Sequence, residues 1–206
     1  MEIFIGLDAF NSGGVKVEEI RIHGRGGQGV VLLGELIALA ASYEGKFCRS
    51  FPLYGPARRG PPVTSFVQIG GEEESTRSMV RRPKYLIILD PNLPSYVDVT
   101  YGFLEGGVVV QNTTRGPEEV LKDLGVKASK VCVVDATSIG MKVLGRPIPN
   151  TAVLGAFVRA TGLVGLESVK KAIVKRFRGE VAERNVRAAE LGFENAVVRR
   201  VEVCIH

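Results

Sequence analysis

A glycine-rich loop between a strand and a helix is the feature that most constrains the fold of this chain. Residues Glu19 to Glu44 read EIRIH, GRGGQG and VVLLGELIALAASYE, which predicts a strand, a loop and a helix in that order. Four glycines lie among the six residues from Gly24 to Gly29. Glycine lets a backbone adopt positive φ and bring its N–H groups together. The segment therefore predicts the first strand–helix unit of an α/β domain.

The same loop is the leading candidate for a ligand site. The N–H groups of the loop and the positive end of the helix dipole would point at one spot, which favours an anion such as a phosphate. The candidate cofactor-binding residues here are Gly24, Arg25, Gly26, Gly27, Gln28 and Gly29. A tight turn that packs the helix on the strand, without a ligand, is the alternative interpretation.

Three of these glycines also match the G-x-G-x-x-G spacing of dinucleotide-binding proteins. In those proteins an acid about 20 residues further on, at the end of the second strand, binds a ribose hydroxyl. Glu44 has this spacing but ends the predicted helix, and the predicted second strand, Lys46 to Phe51, does not end in an acid. A free-standing NAD(P)-binding Rossmann oxidoreductase stays open as an alternative, in which Arg49 would meet a 2′-phosphate.

A loop dense in proline and glycine follows, from Phe51 to Pro62, and it also carries aromatic and basic groups. Loops of this length inside compact domains are usually functional. Tyr54 can stack on a planar ligand, and Arg58 and Arg59 can each bind phosphate or carboxylate through two hydrogen bonds. These three residues complete the set of candidate cofactor-binding residues. Burial against a neighbouring subunit is the alternative role.

The composition limits the kinds of partner. The net charge is +5 over 206 residues, but the basic residues are spread along the chain, so we expect no nucleic acid partner. The three cysteines, Cys48, Cys132 and Cys204, form no C-x-x-C pair of the kind that holds zinc or an iron–sulfur cluster. The longest apolar run, Val30 to Ala41, is too short to span a membrane, and no signal peptide is visible. We expect a cytoplasmic protein without a membrane partner.

Three short aliphatic strands end in polar residues: Tyr85 to Asp90, Val108 to Asn112 and Val131 to Asp135. Such apolar strands suit a parallel sheet covered on both faces, and their polar ends would line the carboxyl edge, where open α/β sheets bind ligands. Capping is the alternative role for these ends. Asp135, followed by Thr137 and Ser138, has the pattern of a helix cap.

The remainder of the chain predicts three helices, Thr151 to Thr161, Leu166 to Phe177 and Glu180 to Phe193, and an edge strand, Val197 to Ile205. The fold class is therefore α/β, with a Rossmann-like, mostly parallel sheet flanked by helices and a helical C-terminal portion. We expect residues 19–206 to form a single domain and residues 1–18 to form an N-terminal arm or tail.

Several segments together resemble a known family. The stretches HGRGGQGV, SFPLYGPARRGPPVTSFVQIG, VVDAT and PNTAVLGAF are similar to those of the gamma subunit of pyruvate and related 2-oxoacid:ferredoxin oxidoreductases. The resemblance covers about residues 19 to 195. Pro61 departs from the Arg-Gly-Gly that is more common in this family.

The resemblance implies a subunit of a complex that decarboxylates a 2-oxoacid oxidatively with coenzyme A, giving acyl-CoA, carbon dioxide and reduced ferredoxin. The chain has no GDG stretch of the thiamine type and no cysteine set for clusters. Thiamine diphosphate, Mg and [4Fe–4S] clusters are therefore expected on alpha, beta and delta-type partner subunits, with ferredoxin binding to the complex. This chain would supply no catalytic residue and would help to form the coenzyme A site and a subunit interface. A purely structural subunit is the alternative.

Overall fold

A computed structural model describes residues 17–54, 62–70 and 80–201. Within these ranges the strands are β1 (Glu18–Arg25), β2 (Cys48–Tyr54), β3 (Pro62–Ile69), β4 (Tyr85–Ile88), β5 (Gly107–Asn112), β6 (Ala128–Val134) and β7 (Val197–Arg200). The helices are α1 (Val30–Tyr43), α2 (Pro117–Leu124), α3 (Ala136–Leu144), α4 (Asn150–Thr161), α5 (Leu166–Arg176) and α6 (Gly179–Asn195). The predicted N-terminal arm lies almost entirely outside the described residues.

The strands form one mixed sheet in the order β2-β3-β1-β4-β5-β6-β7. The four central strands, β1, β4, β5 and β6, run parallel to one another. Strands β3 and β7 flank them in antiparallel orientation, and β2 pairs antiparallel with β3. The α/β fold with a parallel centre is therefore confirmed, and β7 is the edge strand that the sequence predicts at the C-terminal end.

The second strand corrects the sequence-based prediction. It runs from Cys48 to Tyr54, so Phe51 to Tyr54 belong to a strand and not to the predicted loop. Pro52 reads as a strand breaker in the sequence, but β2 is the outermost strand, and proline is tolerated where one side of a strand has no neighbour. Strand β3 lies between β1 and β2, an arrangement that differs from a dinucleotide fold, where the second strand is parallel to its neighbours.

Two apolar cores cover the faces of the sheet. On one face, α1, α4 and α5 pack against side chains that include Ile20 and Ile22 of β1. On the other face, α2 and a short 3-10 turn, Leu93–Ser95, cover Val109 and Val131. Helix α1 buries residues along most of its length against the first core, among them Leu33, Leu36 and Ile37.

This layering creates a crevice at the carboxyl edge of the sheet. The chain leaves β1 toward α1 on the first face, and it leaves β4 toward the 3-10 turn on the opposite face. Strands β1 and β4 are parallel neighbours, so their two connections diverge at adjacent carboxyl ends. Open α/β sheets bind ligands at such a topological switch point.

Candidate functional site

The glycine loop has the backbone geometry that the sequence predicts. Gly27 has φ +93° and Gly29 has φ +78°, both in the left-handed region that favours glycine. Gly29 is the residue before α1, and no side chain among the described residues caps this helix. The first turn of α1 also lacks acidic residues. These features suit the binding of an external anion at the start of α1.

The side chain of Gln28 closes the loop on itself. The Gln28 backbone N–H donates to the Arg25 carbonyl at 3.1 Å, and the Arg25 backbone N–H donates to Gln28 Oε1 at 2.8 Å. The N–H group of Arg25 is therefore already bonded, and Gly26 and Gly27 form the exposed part of the loop. Any anion would approach from that exposed side.

The other two glycines have packing roles. A Cβ on Gly24 would lie 2.6 Å from Val30 Cγ2, and a Cβ on Gly29 would lie 2.2 Å from Nδ2 of Asn150. Asn150 is buried at the start of α4, and its Oδ1 accepts the N–H of Thr151 at 2.8 Å. The alternative interpretation of the loop, a tight turn that packs the helix on the strand, therefore applies to Gly24 and Gly29, because both are required for packing. A Cβ on Gly27 would meet no atom within 4 Å.

An ion pair spans the switch-point crevice between β1 and β4. Arg25 Nε lies 2.5 Å from Asp90 Oδ2, and the guanidinium lies 5.2 Å from the centre of the Tyr96 ring. The Asp90 side chain is only 7% exposed, whereas that of Arg25 is 41% exposed. The buried carboxylate orients the guanidinium, whose exposed side can still meet an anion. Asp90 therefore lies at the carboxyl edge, as predicted, and is paired there with Arg25.

The other two polar strand ends hold the scaffold together. Asn112 Nδ2 donates to the Leu89 carbonyl at 2.8 Å, and Asn112 Oδ1 accepts the Ala136 N–H at 3.0 Å. This side chain ties the ends of β4 and β5 to the start of α3. Asp135 Oδ1 accepts the Ser138 N–H at 3.0 Å, which confirms the capping interpretation.

A cavity of about 430 Å³ opens beside the glycine loop. It is lined by Leu32, Leu144, Arg146, Ile148, Asn150, Phe177, Val181, Arg184 and Asn185. The lining is mostly apolar, and two exposed arginines, Arg146 and Arg184, stand at it. Sequence analysis missed this cavity because its walls come from four separate segments. The sequence held one indication of this cavity, because the segment PNTAVLGAF includes Asn150.

Two polar residues of β1 lie below the loop and make internal contacts. Arg21 Nη2 donates to the carbonyls of Val99 and Tyr101, at 3.0 and 2.5 Å. His23 Nδ1 lies 3.4 Å from Thr64 Oγ1. Burial, together with the nearby Arg21 guanidinium, lowers the pKa of His23 to about 3, so the ring is neutral near pH 7. Neither side chain acts as a cation toward the loop.

Comparison with known proteins identifies the family. The model of the family described as "Pyruvate ferredoxin/flavodoxin oxidoreductase" matches residues 19–195. The chain belongs to the pyruvate ferredoxin/flavodoxin oxidoreductase family. The match begins in β1 and ends with α6, so it includes the glycine loop, both cores and the cavity.

The relatives of this family member are gamma-type subunits. The chain is 48% identical over 180 residues to the pyruvate/ketoisovalerate oxidoreductases common subunit gamma of Thermococcus kodakarensis, covering 87% of this chain and 97% of that protein. It is 45% identical over 175 residues to pyruvate synthase subunit PorC of Methanocaldococcus jannaschii, covering 85% and 94%. The crystal structure of pyruvate oxidoreductase subunit PORC from Thermotoga maritima superposes with a TM-score of 0.78 at 40% identity, covering 89% and 98%. The resemblance to the gamma subunit is confirmed.

The remaining residues that the sequence singles out belong either to the predicted cofactor site or to the NAD(P) alternative. Tyr54 ends β2, and Arg58 and Arg59 lie outside the described residues, so their roles stay predictions. Glu44 lies at the far end of α1 from the glycine loop, where its Oε1 accepts the Gly165 N–H at 2.6 Å. It cannot reach a ribose held at the loop. The geometry therefore does not support the NAD(P) alternative.

The described residues include neither a metal-binding cluster nor a membrane-spanning helix. Residues 17–54, 62–70 and 80–201 contain no group of three or more His, Cys, Asp or Glu side chains placed to hold a metal ion. Cys132 is buried, which raises the pKa of its thiol to about 12. None of the helices in these ranges is long and apolar enough to cross a membrane.

Proposed function

We propose that this chain is the gamma subunit of a 2-oxoacid:ferredoxin oxidoreductase complex, with pyruvate as the preferred 2-oxoacid. The complex would convert the 2-oxoacid and coenzyme A to acyl-CoA, carbon dioxide and reduced ferredoxin. The names of the relatives at 45–48% identity support the reaction class. Thiamine diphosphate, Mg and the [4Fe–4S] clusters would be held by alpha, beta and delta-type partner subunits, and thiamine diphosphate would carry the acyl group that coenzyme A accepts.

Within that complex, the glycine loop and the neighbouring cavity would form part of the coenzyme A site. The observation that carries this proposal is the position of the uncapped start of α1 beside a mostly apolar cavity of about 430 Å³. Coenzyme A combines anionic phosphates with a long pantetheine arm. The loop, with the exposed side of Arg25, would bind a phosphate, and the cavity would receive the arm. Tyr54, Arg58 and Arg59 would contribute from the adjoining loop.

The role of this chain would be to bind and orient coenzyme A. His23 is buried and neutral, and the Asp90 carboxylate is engaged with Arg25. Neither group is arranged as a general base beside the loop, so proton transfer would be supplied by a partner subunit. The sheet and its two cores fix the loop and the cavity relative to each other, which lowers the entropy cost of holding a flexible ligand.

The substitution Gly27→Val tests the loop. A Cβ there meets no atom within 4 Å, so the added side chain would occupy the space where an anion approaches, with a local strain of about 1 to 3 kcal/mol. In the assembled complex we expect the KM for coenzyme A to rise about tenfold or more, and the KM for the 2-oxoacid to stay unchanged. Gly106→Val is the matched control, because Gly106 has φ +75° and open space but lies at the opposite edge of the sheet. An unchanged KM for coenzyme A in Gly27→Val would show that the loop is structural.

The two arginines outside the described residues need a test that separates ligand binding from assembly. Arg59→Ala should weaken coenzyme A binding by about 1.5 to 3 kcal/mol if the guanidinium binds phosphate. Arg59→Lys should restore binding only in part, because lysine keeps the charge but loses the paired hydrogen bonds. Coenzyme A affinity and the yield of complex are measured in the same preparations. Normal affinity with reduced yield would assign Arg59 to a subunit interface instead.

A further inference from the structure

A turn at the amino edge of the sheet displays an exposed aromatic ring. Tyr101 is 71% exposed and lies in the connection between β4 and β5. The turn contacts the segment just before β4, because a Cβ on Gly102 would lie 2.1 Å from the Arg81 carbonyl oxygen. The glycine loop follows β1 at the opposite, carboxyl edge. This turn is therefore separate from the proposed coenzyme A site.

A buried guanidinium holds the turn from below. Arg21 is 6% exposed, and its Nη2 donates to the carbonyls of Val99, at 3.0 Å, and Tyr101, at 2.5 Å. On the outer side, Asp98 Oδ1 accepts the Thr100 N–H at 3.0 Å. The backbone that carries Tyr101 is thus already fixed, so binding through this ring would cost little conformational entropy.

The Tyr101 ring has no role in holding the fold together. Its side chain makes no hydrogen bond and stacks on no other ring within the ranges that the structure describes. Tyrosine is enriched at protein–protein interfaces, where rigid aromatic side chains supply much of the binding energy. A tyrosine that is held outward on a fixed turn has the features of such an anchor.

Two arginines adjoin this turn. Arg81 and Arg82 are both exposed, and neither forms an ion pair with a described residue. Their backbone lies against Gly102, so both side chains start next to Tyr101. A guanidinium binds a carboxylate through two parallel hydrogen bonds. The surface formed by Arg81, Arg82 and Tyr101 therefore suits an acidic partner.

The neighbouring lysines limit the size of the positively charged patch. Lys84 is paired with Glu18 at 3.1 Å, and Lys127 is paired with Glu105 at 3.1 Å. The unpaired positive charge is therefore confined to two guanidiniums. Binding to nucleic acid depends on contacts with many phosphates, whereas two carboxylates on a protein match two arginines.

We propose that Arg81, Arg82 and Tyr101 dock the acidic surface of a partner subunit, in which carboxylates pair with the arginines and an apolar hollow receives the ring. This inference rests on the proposed function, which makes the chain one subunit of a complex. Ferredoxin would have to dock beside a cluster, and the proposed function places the clusters on other subunits. The acidic surface therefore belongs to a subunit and not to ferredoxin.

Charge reversal tests the two arginines in the tagged full chain, purified from its native source. We expect Arg81→Glu combined with Arg82→Glu to lower the recovery of partner subunits about tenfold or more, because like charges would face each other. Recovery is measured as bound thiamine diphosphate and iron per mole of tagged chain. Lys171→Glu combined with Lys175→Glu is the matched control. It makes the same change in net charge on the exposed side of α5, which packs on the other face of the sheet, and recovery should stay unchanged.

Truncation tests the tyrosine. Tyr101→Ala should lower recovery about tenfold, as expected for an interface anchor. Tyr43→Ala is the control, because Tyr43 is 45% exposed at the far end of α1 and should leave recovery unchanged. All of these side chains are exposed, so the variants should stay folded, and equal midpoints of thermal unfolding would confirm it.

Cross-linking identifies the partner. Arg82→Lys keeps the charge and supplies an amine, which a carbodiimide joins to a carboxylate in direct contact. Mass spectrometry should find residue 82 linked to Asp or Glu of a thiamine- or cluster-bearing subunit. A link to ferredoxin or to a second copy of this chain would overturn the proposal, as would release of the partners by nuclease.

The outcomes separate this surface from the proposed function. Equal recovery with the unmodified chain, the arginine reversal and Tyr101→Ala would overturn the docking surface and leave the proposed function in place. Recovery of the unmodified chain without thiamine diphosphate and iron would overturn both. The complex that still forms with Tyr101→Ala should keep a normal KM for coenzyme A, in contrast to the complex with Gly27→Val.

Discussion

At the scale of single residues, Gly29 satisfies two constraints at once. Its φ of +78° is a conformation that other residues adopt at a cost, and its missing Cβ leaves room for the buried Asn150. The contact joins the start of α1 to the start of α4, which are 120 residues apart in sequence. The position of the glycine loop therefore depends on a side chain from a distant segment.

A double-mutant cycle separates the two constraints at Gly29. We expect Gly29→Ala to lower the free energy of unfolding by about 3 kcal/mol, of which about 1 to 2 kcal/mol reflects the left-handed backbone. In an Asn150→Gly background the collision is removed, and the same change should cost only the backbone part. Urea unfolding of the four proteins gives the coupling. Additive effects would show that Asn150 does not restrain the loop.

His23 should make the stability depend on pH. The histidine pKa is about 3 in the folded chain and about 6.5 when unfolded. Between these values the unfolded state binds one more proton, so the free energy of unfolding should fall by about 1.4 kcal/mol for each unit of decreasing pH. Stability from this group is fully present above about pH 6.5 and is lost toward pH 3.

The measurement is urea unfolding at several pH values between about 6 and 4. His23→Gln should remove the contribution of this histidine, so the free energy of unfolding should change less steeply with pH. This expectation holds even if the substitution also changes the stability at neutral pH. Identical slopes in the unmodified chain and in His23→Gln would contradict the buried, neutral state of His23.

At the scale of secondary-structure elements, helices α4 and α6 are held in backbone contact by glycines. A Cβ on Gly155 would lie 1.9 Å from the Ala189 carbonyl oxygen, and a Cβ on Gly192 would lie 1.9 Å from that of Ala152. Backbone atoms on both sides leave no flexible side chain to move aside. The spacing of α4 and α6 therefore depends on these two positions, and α4 carries Asn150 toward the glycine loop.

We expect Gly155→Ala and Gly192→Ala each to destabilise the chain by about 3 kcal/mol, because the helices would have to separate. The improved helix propensity of alanine, about 1 kcal/mol, offsets only part of this cost. Gly116→Ala is the control, since its Cβ would meet its nearest neighbour at 3.6 Å, an ordinary contact. Thermal unfolding measures the stability of all three variants. If Gly155→Ala and Gly192→Ala lose no more stability than Gly116→Ala, helices α4 and α6 are not in close backbone contact.

The elements also show what the sequence can predict. Apolar periodicity and turn residues predicted helix α1, strands β4 to β6 and the cap at Asp135, because those signals are local. The bounds of β2 were wrong because Pro52 lies on an edge strand, which only the sheet order reveals. The contacts of Arg25 with Asp90, and of Gly29 with Asn150, join distant segments, so local patterns could not predict them.

At the scale of the whole molecule, the described part of the chain provides a binding scaffold. These residues, 17–54, 62–70 and 80–201, contain no group of three or more His, Cys, Asp or Glu side chains placed to hold a metal ion. Helix α1 buries Leu33, Leu36 and Ile37 within its own chain, and its far end carries the exposed Tyr43. One exposed tyrosine, Tyr96 at 53%, stands beside the switch-point crevice, and a second, Tyr101 at 71%, lies in the connection between β4 and β5. We expect a partner subunit to cover them.

Purification of the tagged chain from its native source shows whether it works as one subunit of a 2-oxoacid oxidoreductase. We expect thiamine- and cluster-bearing subunits to be recovered together with the chain. The purified complex should reduce ferredoxin when pyruvate is added, and only when coenzyme A is also present. Two results would contradict a role as an oxidoreductase subunit. One is recovery of the chain alone, and the other is recovery of a complex that fails to reduce ferredoxin with pyruvate or with any other 2-oxoacid.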